Sequence, residues 1–339
     1  MRRLQLVVHP HRPDALELAD AVIQRLTAAG VGVVLDGLTA AAVRPDGHPL
    51  VLVAPDQPGD TLDPLAGRPA ATLVSGASPG PGATPRAGAS PAAAPDCELV
   101  LVLGGDGTIL RGAELSRGSG APLLGINLGH VGFLAESERE DLEETVERIL
   151  ERDYTVQDRM TLEVIGMLDG TEVARTWALN EATVEKASRE RMLELTVEID
   201  GRPLSTWGCD GVVMATPTGS TAYAFSAGGP VVWPDVDAML LVPISAHALF
   251  ARPVVLGPQS VIAVDIIPRT EGHGVLWCDG RRAVDLPVGA RVEVRRSDQP
   301  VRLARLRDEP FTDRLVQKFH LSVHGWRGVA DARPPGVDG

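Results

Sequence analysis

Lysine is nearly missing from this 339-residue chain: Lys186 and Lys318 are its only two, and Arg carries the other positive charges. Aromatic residues make up 4%, no run of basic residues occurs, and the formal net charge is −13. A nucleic-acid surface needs clustered cations and stacking rings, so the composition argues against nucleic acid as the main partner. The three cysteines, Cys97, Cys209 and Cys278, are far apart and odd in number. That excludes a disulfide framework and metal-ligand spacing, and reads as free thiols in a reducing cytoplasm. No apolar stretch approaches the roughly 20 residues of a membrane span. The opening strand at Leu4–His9 is too short for a signal-peptide core, so a cytoplasmic location and no membrane partner are expected. The scarcity of Lys beside abundant Ala, Gly, Pro and Val looks like coding bias and is not read for function.

What is present is an alternation of apolar runs and helical periods. Leu6-Val7-Val8 reads as a strand. A helix starts at Pro13-Asp14, carries Leu16, Ala19, Ile23 and Leu26 on one face and stops at Gly30. Val31 to Leu35 is the next strand, which gives the opening of a doubly wound sheet. Val51-Leu52-Val53 predicts a further strand. Residues 57–96 are dominated by Pro, Gly, Ala and Ser and read as a flexible insertion. Leu99–Leu103 and Pro122–Asn127 resume the sheet, and a helix follows over Asp141–Leu150. Beyond residue 155 the period becomes two: Leu193, Leu195, Val197 and Ile199 alternate with polar residues. Asp169-Gly170, Asp200-Gly201 and Asp279-Gly280 read as tight hairpin turns. The fold class expected is an α/β, doubly wound N-terminal domain over residues 1–140 and an all-β, sandwich-like C-terminal domain over residues 141–305. Residues 306–326 are expected to pack back on the first domain, and 327–339 form a tail.

Two glycine-rich segments carry chemistry. Leu99–Leu103 runs into Gly104-Gly105-Asp106-Gly107-Thr108. Glycine opens backbone angles closed to other residues, so successive N–H groups can turn toward an anion. Ile109–Leu115 then reads as the start of a helix, with free donors at its N-terminus. The loop suits phosphates, but a carboxylate repels them. Asp106 makes sense there if it takes a proton from an attacking hydroxyl or helps hold a metal. For a lone Gly-Asp-Gly, a plain turn with an Asp helix cap is the more ordinary reading. A second segment reverses that balance: Cys209-Asp210-Gly211 leads into Thr216-Pro217-Thr218-Gly219-Ser220-Thr221-Ala222-Tyr223 and Ser226-Ala227-Gly228-Gly229-Pro230. Its hydroxyls, backbone N–H groups and lack of bulk suit a nucleotide lying against the chain. Asn180-Glu181, at the end of a strand, adds an amide and a carboxylate.

Together with Asn127-Leu128-Gly129-His130-Val131-Gly132-Phe133-Leu134, these elements resemble the NAD kinase family over nearly the whole chain, apart from 57–96 and the tail. The Gly-Gly-Asp-Gly element is shared with lipid kinases and phosphofructokinases. The Thr-Pro-Thr-Gly-Ser-Thr-Ala-Tyr run, in order with Asn-Glu, is far more specific. The resemblance implies phosphoryl transfer to the 2′-hydroxyl of the adenosine ribose of NAD, giving NADP, with Asp106 as general base. It implies a phosphate loop of Gly104, Gly105, Gly107 and Thr108. It assigns dinucleotide contacts to Asp106, Gly107, Arg111, Asn180, Glu181, Arg191, Asp210, Thr221, Ala222, Tyr223, Ala224, Phe225 and Ser226. A divalent cation such as Mg2+, ATP or inorganic polyphosphate as donor, and a homodimer or homotetramer are the implied partners, with the metal ligands left unassigned. Gly208 stands where some relatives carry a basic residue, and Ala246 where many carry Pro. The alternatives are a lipid kinase sharing the Gly-Gly-Asp-Gly element and a dinucleotide sensor without catalysis.

Overall fold

The computed structural model describes residues 2–36, 39, 96–128, 132–138, 141–188, 192–267 and 272–323. The strand expected at Val51–Val53, all of the 57–96 insertion but its last residue, Arg191 and the 327–339 tail lie outside these residues.

The first sheet is built on β1 (Arg3–Val8), β2 (Gly32–Leu35), β3 (Leu99–Leu103) and β4 (Leu123–Asn127), with all three pairings parallel. Strand β3 shows why both faces are covered. Leu99, Leu101 and Leu103 enter one core and Val100 and Val102 another, all fully buried. Such an unbroken apolar run is the signature of a parallel strand with helices on both sides. Helix α1 (Pro13–Ala28) covers one face with Leu16, Ala19, Ile23 and Leu26. Helix α2 (Asp106–Ser119) covers the other with Ile109 and Ala113. Gly112 lets α2 lie close, because a Cβ there would come within 2.5 Å of Val102 and 2.8 Å of Leu123.

Twelve later strands pair antiparallel in two six-stranded sheets. One runs 202–209, 193–199, 262–266, 291–296, 162–168, 171–178; the other runs 254–256, 239–244, 211–215, 181–186, 274–278, 282–286. Alternation of buried and exposed residues is absent from strand 211–215, which is buried throughout. Val212 and Met214 enter the core between the two sheets, and Val213 and Ala215 pack beneath Ala224 and Val242 on the outer side. The three Asp-Gly turns each place both residues at positive φ, for example Asp279 at 53° and Gly280 at 62°, as a two-residue hairpin turn of the twisted sheet demands.

The first sheet also takes in segments beyond residue 140. Strands Thr155–Arg159 and Val301–Arg305 join it, in the order 301–305 beside β4 and 155–159 beyond it. Helix Leu142–Glu151 likewise packs in the first core through Val146 and Ile149. Strand period alone cannot reveal which sheet a strand joins. The last helix, α5 here for Phe311–Phe319 (after Leu142–Glu151 as α3 and Tyr223–Ser226 as α4), bridges the two halves. Phe319 lies 5.7 Å from Phe133 and 4.6 Å from Phe225, centroid to centroid. Arg314 donates to the carbonyl of Ala135 and pairs with Glu136. The three cysteines are free and buried. Among the described residues no helix is long and apolar enough to cross a membrane.

Candidate active site

The Gly-Gly-Asp-Gly loop joins β3 to α2. Gly104 has φ 154°, and a Cβ there would come within 2.6 Å of the Thr108 hydroxyl. Gly105 and Gly107 differ: neither has positive φ, and a Cβ on either would meet nothing within 4 Å among the described residues. The backbone freedom of glycine is used at Gly104 alone in this loop. The other two leave open space. That space is a cavity of about 470 Å³ lined by His9, Arg12, Gly105, Asp106, Gly107, Thr108, Arg111 and Arg281.

Asp106 is the first residue of α2, and Gly105 occupies the cap position without a side-chain hydrogen bond. The Oδ1 atom of Asp106 is buried and has no hydrogen-bond partner among the described residues. A helix-capping carboxylate would instead accept a backbone N–H of the first turn, so the plain-cap reading fails here. A buried polar atom without a partner is uncommon and costly. Gly132 crosses directly over it: a Cβ at 132 would stand 2.4 Å from Oδ1. The same segment continues into Phe133 and Leu134, which line a larger cavity of about 810 Å³ together with Thr218 and Thr221.

The second constellation assembles around Asn180 and Glu181, both buried. Thr216 donates its hydroxyl to the Leu179 carbonyl at 2.6 Å and its N–H to the Asn180 carbonyl at 2.9 Å. Gly219 touches the same peptide, so closely that a Cβ would fall 2.0 Å from the Asn180 oxygen. Glu181 has one carboxylate oxygen buried without a partner among the described residues. Burial, then the nearby Asp279, push its carboxyl up to about 8, against a smaller opposing effect of the Tyr223 N–H that it accepts. At neutral pH this acid is mostly protonated. Tyr223 and Phe225 are partly exposed, Thr221 and Ala222 are half-buried and Ser226 is exposed. Ala224 is fully buried in the core beneath strand 211–215, so its side chain serves packing.

The two constellations are tied together by the turn at 279–282. The Asp279 carboxylate accepts the N–H groups of Leu179 (3.0 Å) and Asn180 (2.7 Å). Arg282 donates to Asp279 (2.8 Å), to the Trp177 carbonyl (2.7 Å) and to Glu114 (2.8 Å) on α2. Arg281 also reaches Glu114, at 3.1 Å. The helix that begins with Asp106 is thus clamped to the strand end that carries Asn180. Sequence reading missed Arg281, Asp279 and Gly132 as individual site residues. Only the Asp-Gly turn signal at 279 pointed to that hairpin, and nothing local marked where it would dock.

Two other expected residues behave differently from their sequence context. Arg111 lines the cleft but is buried and committed: it donates to the Val8 carbonyl at 2.8 Å and to Thr39 at 3.2 Å, with Asp36 at 3.5 Å. Asp210 is paired with Lys186 at 2.5 Å, which holds its carboxyl below the ordinary range. Lys186 comes from strand 181–186, which pairs with strand 211–215 beside Asp210.

Residues 4–154 match the ATP-NAD kinase N-terminal domain and residues 179–306 the ATP-NAD kinase C-terminal domain. The NAD kinase of Thermobifida fusca is 54% identical over 339 residues, covering 99% of this chain and 94% of the relative. The NAD kinase of Leifsonia xyli is 56% identical over 329 residues, covering 96% and 97%. Among solved structures, a yeast NADH kinase complexed with NADH superimposes with a TM-score of 0.74 at 23% identity, covering 95% of this chain and 89% of that one. An NAD kinase from Archaeoglobus fulgidus in complex with ATP gives 0.63 at 23% identity, covering 95% and 100%. At that identity the two structures establish the shared fold. The order of the two domains and the full-length identity to the bacterial enzymes settle the family: this chain belongs to the NAD kinases, phosphotransferases with an alcohol group as acceptor.

Proposed function

We propose that the chain transfers the terminal phosphoryl group of ATP, or of inorganic polyphosphate, to the 2′-hydroxyl of the adenosine ribose of NAD, with Asp106 as general base. The observation that carries this reading is Asp106 on the wall of a cleft with two open glycines, its covered Oδ1 left without a hydrogen-bond partner among the described residues. In the step itself the 2′-oxygen forms a bond to the terminal phosphorus. The bond from that phosphorus to the bridging oxygen breaks, the shortened donor leaves with the electron pair, and the hydroxyl proton passes to Asp106. A base so placed contributes about 10²–10⁴-fold, and positioning plus charge neutralisation supply the rest.

Asn180, Glu181 and the Thr221–Ser226 segment are the dinucleotide contacts, and the adenosine ribose lies against Asp106. Asp210 belongs to the nicotinamide end. Donor phosphates go to the smaller cavity, lined by Gly105, Gly107 and Thr108 with Gly104 packed behind Thr108. Among the described residues no group of three or more His, Cys, Asp or Glu could hold a metal, yet Asp106 offers one carboxylate beside the phosphate space. That suits Mg2+, which uses one or two carboxylates together with substrate phosphates. Asp106 would hold such an ion, and the ion would offset charge on the transferring phosphoryl group. We place the protein in the cytoplasm as a homodimer or homotetramer, with the two domains divided as the sheets divide. A lipid kinase would need an apolar tail pocket, and His9, Arg12, Arg111 and Arg281 make this cleft polar.

The test incubates purified protein with NAD, Mg2+ and either donor and measures NADP. Asp106→Asn is expected to keep NAD binding and lose about 10²–10⁴-fold in rate. Near-normal turnover by that variant removes Asp106 from the role, and binding without turnover by the wild type favours a dinucleotide sensor.

A further inference from the structure

We propose that Arg281 is a ligand for the phosphates of the phosphoryl donor, supplied by the second domain and parked on Glu114 when no donor is bound. The inference rests on the NAD kinase reading and adds to it a residue outside the recognised sequence elements.

Three arginines line the Asp106 cleft, and two are already committed. Arg111 is tied to the Val8 carbonyl, Thr39 and Asp36. Arg12 pairs with Asp14 at 2.5 Å and donates to the Leu128 carbonyl at 2.9 Å. Arg281 is held by Glu114 alone among the described residues, at 3.1 and 3.4 Å, and its side chain is 35% exposed. Glu114 does not depend on it, because Arg282 donates to the same carboxylate at 2.8 Å. Arg281 can therefore swing away without stranding a buried charge, the change that makes breaking most buried pairs costly. The planar guanidinium offers paired N–H donors matched to phosphate oxygens, and the open space before Gly105 and Gly107 leaves room for them.

The position of Arg281 also explains the turn that carries it. Asp279, two residues earlier, holds the backbone of Leu179 and Asn180. One hairpin end thus touches the strand end beneath the dinucleotide contacts and the donor cleft at once. A correctly seated dinucleotide would fix the height at which Arg281 meets the phosphates.

The experiment compares wild type, Arg281→Gln and Arg281→Lys. Calorimetry with ATP and Mg2+ gives donor affinity, and separate titration with NAD gives dinucleotide affinity. Steady-state kinetics give KM for each substrate. Arg281→Gln is expected to weaken ATP binding on the order of 10- to 100-fold, the range of a charge-assisted hydrogen bond, and to raise KM for ATP while NAD affinity stays within about twofold. Arg281→Lys restores charge without the fork and recovers part of the loss. Unchanged ATP affinity in Arg281→Gln overturns the proposal. So does an equal loss for ATP and NAD, which would show that Arg281 only braces the domains through Glu114. ATP binding is read directly, so a wild type that binds ATP but forms no NADP defeats the parent reading and leaves the Arg281 result interpretable.

Discussion

Gly132→Ala should produce a stable protein with a displaced base. A Cβ at 132 would stand 2.4 Å from Oδ1 of Asp106, 3.2 Å from Cγ and 3.4 Å from Oδ2. Ordinary contact begins near 3.4 Å, so Oδ1 must retreat by about 1 Å. The obstacle is the end of a rotatable side chain, so the fold gives way there at little cost, within about 1 kcal/mol. A misplacement of about 1 Å in a reacting group costs on the order of 10²-fold, or about 2.7 kcal/mol in activation free energy. The assay is kcat for NADP formation, beside the NAD dissociation constant and the thermal midpoint. The expected pattern is a kcat lower by roughly two orders of magnitude, with binding and midpoint nearly unchanged. A kcat within about threefold of wild type would refute the link between the Gly132 contact and the position of the base.

Gly219→Ala meets backbone instead: its Cβ would fall 2.0 Å from the Asn180 oxygen, so a loss of about 1–3 kcal/mol or more in denaturant unfolding and weakened NAD binding are expected, and an unchanged midpoint would contradict the packing. Glu181 is raised to about 8 by burial and Asp279 from an ordinary value of 4.5. Its folded form binds the proton more tightly than the unfolded chain, so its contribution to stability falls as pH rises from about 4.5 toward 8. Unfolding free energies at pH 5, 6.5 and 8 should show that decline in wild type and a flatter profile in Glu181→Gln, and identical profiles would exclude it. Lys186→Met frees the Asp210 carboxylate to favour the cationic ring of NAD over neutral NADH, so the ratio of their kcat/KM values should rise; an unchanged ratio would detach Asp210 from redox selection. By the same logic Gly208→Arg adds a second cation near a carboxylate already paired, and its effect on that ratio should be smaller than that of Lys186→Met.

Local chemistry explains what could be read in advance. Asp169-Gly170, Asp200-Gly201 and Asp279-Gly280 are legible as turns because few residue pairs accept two positive φ values in succession. The uninterrupted Leu99–Leu103 strand is legible because only a strand covered on both faces tolerates it. Other features depend on neighbours distant in sequence. Lys186 meets Asp210 because strands 181–186 and 211–215 pair antiparallel with Glu185 opposite Gly211. Arg281 reaches the cleft because its hairpin docks on Glu114, 167 residues earlier. Ala224 sits in a run of site residues and is nevertheless core, since a single helical turn must point one side chain inward.

The placement of strand 301–305 between β4 and strand 155–159 has a consequence for assembly and motion. The sandwich is an insert in the first sheet, entered after residue 159 and left before residue 301. A domain hung from one tether can swivel; one hung from two adjacent tethers rocks about the line that joins them. During synthesis the sheet that carries Asp106 also stays open beside Leu123 of β4, the residue that Leu303 pairs with, until the whole sandwich has followed it out of the ribosome. The catalytic half is therefore completed last although it is begun first, and a chain interrupted within the sandwich would present that end of β4 as an unpaired apolar edge.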